Sequence, residues 1–268
     1  MTAQSSEEFS ALTLEVSDGI AEITLTRPEL MNRVDAALHT ELTAALDQIA
    51  RRQDVRASVL ASTGRVFSAG GDFELMRAAH DHPGERRQIA DDGLRLLDAL
   101  IGLPQPLVVA LHGAAIGVGA TVVLTADAIV AARSASLSDP HVALGLVAGD
   151  GGCLVWPAST GMLRARRHLL TGDALDAETA FACGLVTDLV DTAEEALPAA
   201  RALAARIAKL PPMAVQGTKA ALNRLTQQRA GEVVPLSMAN EVATFASEDL
   251  LEAIASFQER RPGNFRGR

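Results

Sequence analysis

The residue types best suited to chemistry lie in one segment, Ser138-Asp139-Pro140-His141-Val142-Ala143-Leu144-Gly145-Leu146-Val147-Ala148-Gly149-Asp150-Gly151-Gly152. It is too apolar for a solvated linker and too broken by glycine for a single helix. A His and an Asp held there are partly desolvated, and desolvation moves pKa values. His141 titrates near neutrality and suits a general base. Asp150 suits a partner that orients it and stabilises its imidazolium. Two plainer roles stand beside these. His141 can cap the turn after Pro140, and Asp150 can N-cap a helix opening near Gly151.

Two other segments belong with it: Val66-Phe67-Ser68-Ala69-Gly70-Gly71-Asp72-Phe73-Glu74-Leu75-Met76, and Val109 through Ala120 with Gly113, Gly117 and Gly119. Each reads as a strand end, a turn of small residues and a helix start. That order presents free backbone N–H groups at the positive end of a helix. Two such turns facing each other make an oxyanion hole. Asp72, after Gly-Gly, also reads as an N-cap for the helix opening at Phe73. Gly70 and Gly117 read as conformational requirements of the turns.

The elements that must position these residues follow an α/β grammar. Residues 11–26 read as two strands turned at Asp18-Gly19. Asp35 caps a helix through Ala50 with Leu38, Leu42, Leu46 and Ile49 on one face. Val55–Ala61 and Leu107–Leu111 read as strands, the second buried on both faces. Residues 74–100 read as one charged helix, Ile129–Ala132 and Leu185–Val190 as strands. From Ala193 helices are expected over 193–208, 212–226, 231–246 and 248–258. The expected organisation is a flexible tail over 1–10, a core over 11–195 and a helical arm over 196–268.

Bulk properties exclude several function classes. Of 268 residues, 48% are hydrophobic, so a sizeable core is available, while 3% are aromatic and there is no Tyr. The net charge of −9 and the lack of a basic stripe argue against nucleic-acid binding. Cys153 and Cys183 make no disulfide framework and read as small packing residues. No apolar run approaches a membrane span, and the acidic N-terminus lacks a signal-peptide pattern, so a soluble, cytoplasmic protein without a membrane partner is expected. His80 and His82 flank Asp81 without further ligands at suitable spacing, so no metal is expected.

The FSAGGD element, the second glycine turn and the Pro140 segment, in this order, resemble the crotonase (enoyl-CoA hydratase/isomerase) superfamily over essentially the whole chain. The resemblance implies an α/β fold with a ββα spiral core and a helical C-terminal trimerisation region. It implies a homotrimer or dimer of trimers acting on a small-molecule substrate, an acyl-CoA or a related β-dicarbonyl. No cofactor is implied beyond coenzyme A as part of the substrate. Residue by residue, the oxyanion-hole N–H groups fall on Gly71 and Val118, with Ala69, Gly70, Asp72, Gly117 and Thr121 around the substrate.

The chain departs from the family pattern where hydratases carry two glutamates. Thr121 and His141 stand there instead, and a Thr hydroxyl is no base near pH 7. The His141–Asp150 pair is similar to that of the superfamily's carbon–carbon hydrolases, such as 6-oxocamphor hydrolase, which direct water at a diketone carbonyl. By the same comparison His39 and Glu241 match further active-site positions. Read from their own surroundings, His39 is a surface histidine on an amphipathic helix and Glu241 a solvated charge on a tail helix. Three functions therefore stand: a hydratase or isomerase of a CoA thioester, a β-diketone hydrolase, and a non-catalytic acyl-CoA binder.

Overall fold

The computed structural model describes residues 9–268. Residues 1–8 of the expected tail lie outside the described residues. Phe9 packs against the core, and Ser10 N and Oγ both donate to the Glu41 carboxylate, so these two positions are anchored.

The strands are β1 (Leu12–Ser17), β2 (Ile20–Leu25), β3 (Ala57–Ser62), β4 (Leu107–Leu111), β5 (Ala115–Ile116), β6 (Ala128–Ala132), β7 (Ser136–Ser138), β8 (Leu175–Asp176) and β9 (Asp188–Val190). The helices are α1 (Ala36–Ala50), α2 (Phe73–Asp81), α3 (Pro83–Gly102), α4 (Val118–Leu124), α5 (Gly152–Thr160), α6 (Met162–Leu169), α7 (Ala177–Ala182), α8 (Ala193–Ala208), α9 (Pro212–Phe245) and α10 (Glu248–Glu259).

A six-stranded sheet runs in the order β1-β2-β3-β4-β6-β9. The β1–β2 hairpin is antiparallel, turning through Asp18 and Gly19 with positive φ at both, and every later pair is parallel. A parallel sheet needs cover on both faces, and it has it. On one face α1 buries Leu38, Leu42, Leu46 and Ile49 in the main core with Leu96, Leu97 and Leu100 of α3. On the other, Ala196, Ala200, Ala204 and Ala208 of α8 form a stripe at helical spacing. These small side chains let the helix lie close against Ala57, Val59, Val108, Ala110 and Val130. α8 is thus a layer of the core, although a boundary at 195/196 assigns most of it to the arm. A second, three-stranded sheet, β5-β7-β8, carries the segments that hold the site.

Two helix readings are corrected. The charged stretch is two helices, because His82 is extended (φ −125°, ψ 111°) ahead of Pro83, as residues before proline prefer. Arg86 then donates to the Ala79 and His80 carbonyls at the open end of α2. In the tail, α9 runs unbroken for 34 residues through Gly231 and Pro235. Packing overrides the local helix penalty there: Val234, Ser237, Met238, Glu241 and Phe245 form a buried stripe at three- and four-residue spacing. Among the described residues no helix is long and apolar enough to cross a membrane.

The stripe reaches the opening segment at Gly149. A Cβ there would stand 2.5 Å from Glu241 Oε2 and 2.6 Å from Ser237 O. Gly149→Ala is expected to cost about 1–3 kcal/mol by overpacking. Gly217→Ala on the same helix, where a Cβ meets nothing within 4 Å, gains up to about 1 kcal/mol of helix propensity. Thermal unfolding midpoints of the two variants should move in opposite directions.

Candidate active site

Backbone pairing stitches the three chemistry-bearing segments together. Ser68 N–H donates to Ala114 O (3.2 Å) and Ile116 N–H to Ser68 O (3.1 Å). Gly117 N–H donates to Ser138 O at 2.9 Å, beside the Ile116–Ser138 register of β5 and β7. Gly70, at φ +83°, lies so close to the second turn that a Cβ would stand 2.6 Å from Ile116 O. Only glycine satisfies both the left-handed backbone and that approach. The two turns therefore stand side by side, one feeding α2 and the other α4. Asp72 closes the first: its Oδ1 accepts from Leu75 N–H at 2.9 Å and its Oδ2 pairs with Arg33 Nε at 2.5 Å.

A cavity of about 50 Å³, room for a few waters, opens between these turns, α1, α3 and α9. Its wall includes His39, Gly71, Val118, His141, Asp150 and Glu241. Neither Gly71 nor Val118 donates its N–H to another of the described residues. The apolar part of the wall comes from Met76, Ile89, Met238 and Phe245 among others.

His141 opens a single 3-10 turn after Pro140 and is 7% exposed. Its Nδ1 is hydrogen-bonded to Asp139 Oδ1. Its Nε2 lies 3.5 Å from Asp150 Oδ2 and 4.0 Å from Glu241 Oε1. Thr121, on α4, donates its hydroxyl to Asp150 Oδ1 at 3.4 Å. Three carboxylates thus surround one imidazole in the protein interior. Burial opposes the charge on His141, but Asp139 and Asp150, with Glu241 behind them, outweigh it and hold its pKa well above the ordinary 6.5. These neighbours favour the imidazolium form of His141. Burial raises Asp150 even against the nearby His141 cation. Burial, then the charge of Asp150, raises Glu241 well above 4.5. These directions raise the proton affinity of the imidazole and of both carboxyl groups beside it. Burial lowers His39, which is neutral and leaves Nδ1 without a partner. Burial and the charge of Asp139 push the Cys153 thiol up to about 11, so it offers no thiolate. His141, Asp150 and Glu241 each bring one donor atom within 4.8 Å of the others, a spacing that fits shared protons or a small cation alike.

Residues 15–268 match the family model described as enoyl-CoA hydratase/isomerase. The chain belongs to that family, the crotonase superfamily. It is 34% identical over 260 residues to a Rhodobacter capsulatus protein named "Probable enoyl-CoA hydratase", covering 97% of this chain and 99% of that one. It is 30% identical to the 1,2-epoxyphenylacetyl-CoA isomerase of Escherichia coli, over 94% of this chain and 97% of the other. An enoyl-CoA hydratase/isomerase structure from Mycobacterium paratuberculosis superposes with a TM-score of 0.89 at 31% identity, covering 94% of this chain and all of that chain.

Within this family member, the structure brings His39, His141, Asp150 and Glu241 to one cavity with the amides of Gly71 and Val118. His39 and Glu241 are buried, not the surface charges their local sequence suggests. Ala69, Gly70, Gly117 and Thr121 do not line that cavity. Ala69 N–H donates to Met31 O and Gly70 N–H to Ser68 Oγ, so these residues build the wall from behind. Asp72 does line it, with its carboxylate committed to the α2 cap and Arg33. Asp150 is not the N-cap residue of α5, which begins at Gly152 after Gly151, although its carboxylate accepts from the Gly152 N–H at that helix end. Nor does it hold the far ring nitrogen of His141; Asp139 does. The sequence reading passed over Asp139, although its place just before Pro140-His141 in a turn was a visible signal. His80 has its Nδ1 3.1 Å from Phe245 O.

Asp150, Glu241 and His141 all bind protons more tightly folded than unfolded. The stability they contribute is complete below the ordinary carboxylate values of 3.8 and 4.5. It is lost as pH rises through the raised folded values, His141 adding its share above 6.5. Glu241→Gln removes one such group. The fall in unfolding temperature from pH 5 to pH 9 should be visibly smaller in Glu241→Gln than in the unaltered chain.

Proposed function

We propose that this family member activates the carbonyl of an acyl-CoA thioester, or of a related β-dicarbonyl, between the Gly71 and Val118 N–H groups. His141, with Asp150 and Glu241, transfers protons in place of the two glutamates of a hydratase. The carrying observation is the convergence of an imidazolium, two buried carboxyl groups and two N–H groups without acceptors on one cavity. Undonated backbone N–H groups in a dry site favour an oxygen on which negative charge develops. The Nε2–H of His141 is a transferable proton facing the cavity. The Asp150–Glu241 pair beside it is the place to receive one. A hydration or a double-bond shift both need these two capacities on one side of a bound enolate.

A second reading is hydrolysis of a β-diketone. It is favoured by the four polar positions His39, His141, Asp150 and Glu241 lining one wall. Water oxygen adds to one carbonyl carbon while a carboxylate of the pair takes a water proton. The carbon–carbon bond then breaks, its electron pair forming an enolate whose oxygen rests on the two N–H groups. The His141 Nε2–H protonates the enolate carbon, leaving a ketone and a carboxylic acid.

Exposed Met162 and Leu163 on α6, Leu170 just after it, and Leu222, Leu225 and Leu236 on α9 support a homo-oligomer, a trimer or a dimer of trimers.

His141→Ala should lower turnover by about 10²–10⁴-fold while acetoacetyl-CoA still binds by calorimetry; unchanged turnover sinks the assignment. Turnover of a cyclic 1,3-diketone with no CoA-ester binding replaces the thioester reading by the hydrolase. Binding of CoA esters without turnover of any enoyl-CoA or diketone leaves a binder. Because protons and N–H groups carry the chemistry in this reading, EDTA should leave turnover unchanged.

A further inference from the structure

We propose that Asp139 is the positioning residue of this site: its carboxylate fixes the His141 ring through Nδ1, which aims Nε2 into the cavity and frees Asp150 to act on the reacting atoms. The proposal rests on His141 as the proton-transfer group.

The geometry divides the carboxylates into two kinds. Asp139 is 1% exposed and absent from the cavity wall, so it does not meet substrate. It bonds the ring nitrogen opposite the reacting one, and the same Oδ1 accepts from the His141 backbone N–H at 3.4 Å. Asp150 and Glu241 line the cavity and stand on the Nε2 side. An orienting acid must occupy the nitrogen that does not react, since an acid on the reacting nitrogen competes with substrate for it. Among the described residues, Asp139 alone satisfies that condition.

The fold also fixes the position of Asp139. It follows β7, whose register against β5 and β8 fixes its backbone, and Pro140 restricts the chain between it and His141. Its Oδ2 rests against Gly152, the first residue of α5, where any Cβ would collide with it. The nine-residue α5 turns its positive end toward this carboxylate. Oδ2 has no hydrogen-bond partner, so the His141 ring is the group to which the carboxylate is tied. Asp150, by contrast, accepts from Thr121, a hydroxyl at a position where family hydratases carry a glutamate.

The test uses the full chain labelled with ¹⁵N-histidine. Difference against His141→Ala assigns the Nδ1–H resonance of His141. That downfield resonance should be present in the unaltered protein, absent in Asp139→Asn and retained in Asp150→Asn. With whichever substrate turns over, Asp139→Asn should lower kcat by about 10²–10⁴-fold with KM changed less than about threefold, since a residue off the cavity wall does not bind substrate. The resonance persisting in Asp139→Asn, or vanishing in Asp150→Asn, overturns the proposal, as does full kcat in Asp139→Asn while His141→Ala is inactive. If Asp139→Asn does not fold, the Asp150→Asn spectrum decides alone. Normal turnover in His141→Ala removes the proton-transfer reading itself and the positioning role with it, a failure distinct from the others.

Discussion

An imidazole enclosed by three carboxylates sets the terms for everything around it. Ions in a protein interior are expensive unless paired, and an excess of negative charge is relieved by holding protons. Here Asp139 pairs with His141, while Asp150 and Glu241 are raised by burial toward protonation. The pairing holds only while these side chains stay within contact of one another. Its members come from the segment between β7 and α5 and from the far end of α9, so the fold must deliver distant chain segments to one point.

Close backbone approach is how it does so. Gly70 against Ile116 locks the two amide-bearing turns together, and Gly149 against Ser237 and Glu241 seats α9 on the opening segment. These contacts leave no room for a Cβ. Strand pairing between β5 and β7 fixes the height of His141 relative to the second turn, where a Cβ on Gly117 would meet the imidazole at 3.5 Å. The scaffold around the cavity is thus rigid where amides and acid groups must face one another. Apolar side chains from α2, α3 and α9 shape the remainder of the wall.

Two kinds of group meet in the cavity: the backbone N–H groups of Gly71 and Val118, which do not depend on side-chain identity, and the side chains of His141, Asp150 and Glu241. Relatives of comparable identity are named as a hydratase and as an epoxide isomerase. A shared fold does not fix the reaction, since chemistry follows the groups in the site.

By itself the sequence determined what is local or periodic. The hairpin at Asp18-Gly19, the Asp35 cap, the Asp72 cap, the buried strand Leu107–Leu111 and the two glycine turns rest on short-range sterics and patterning, and all are present. The opening segment was legible as a chemical wall because His and Asp stand among glycines and apolar residues. Tertiary structure decided the rest. Whether Glu241 is solvated or buried depends on α9 running unbroken through Gly231 and Pro235, and that is settled by packing of the buried helix face, not by local propensity. Which aspartate serves which nitrogen of His141 depends on a ring orientation that sequence spacing does not encode. Asp150 is the more conspicuous acid in the sequence; Asp139 holds the ring because the β5–β7 register and the start of α5 leave its carboxylate nowhere else to go.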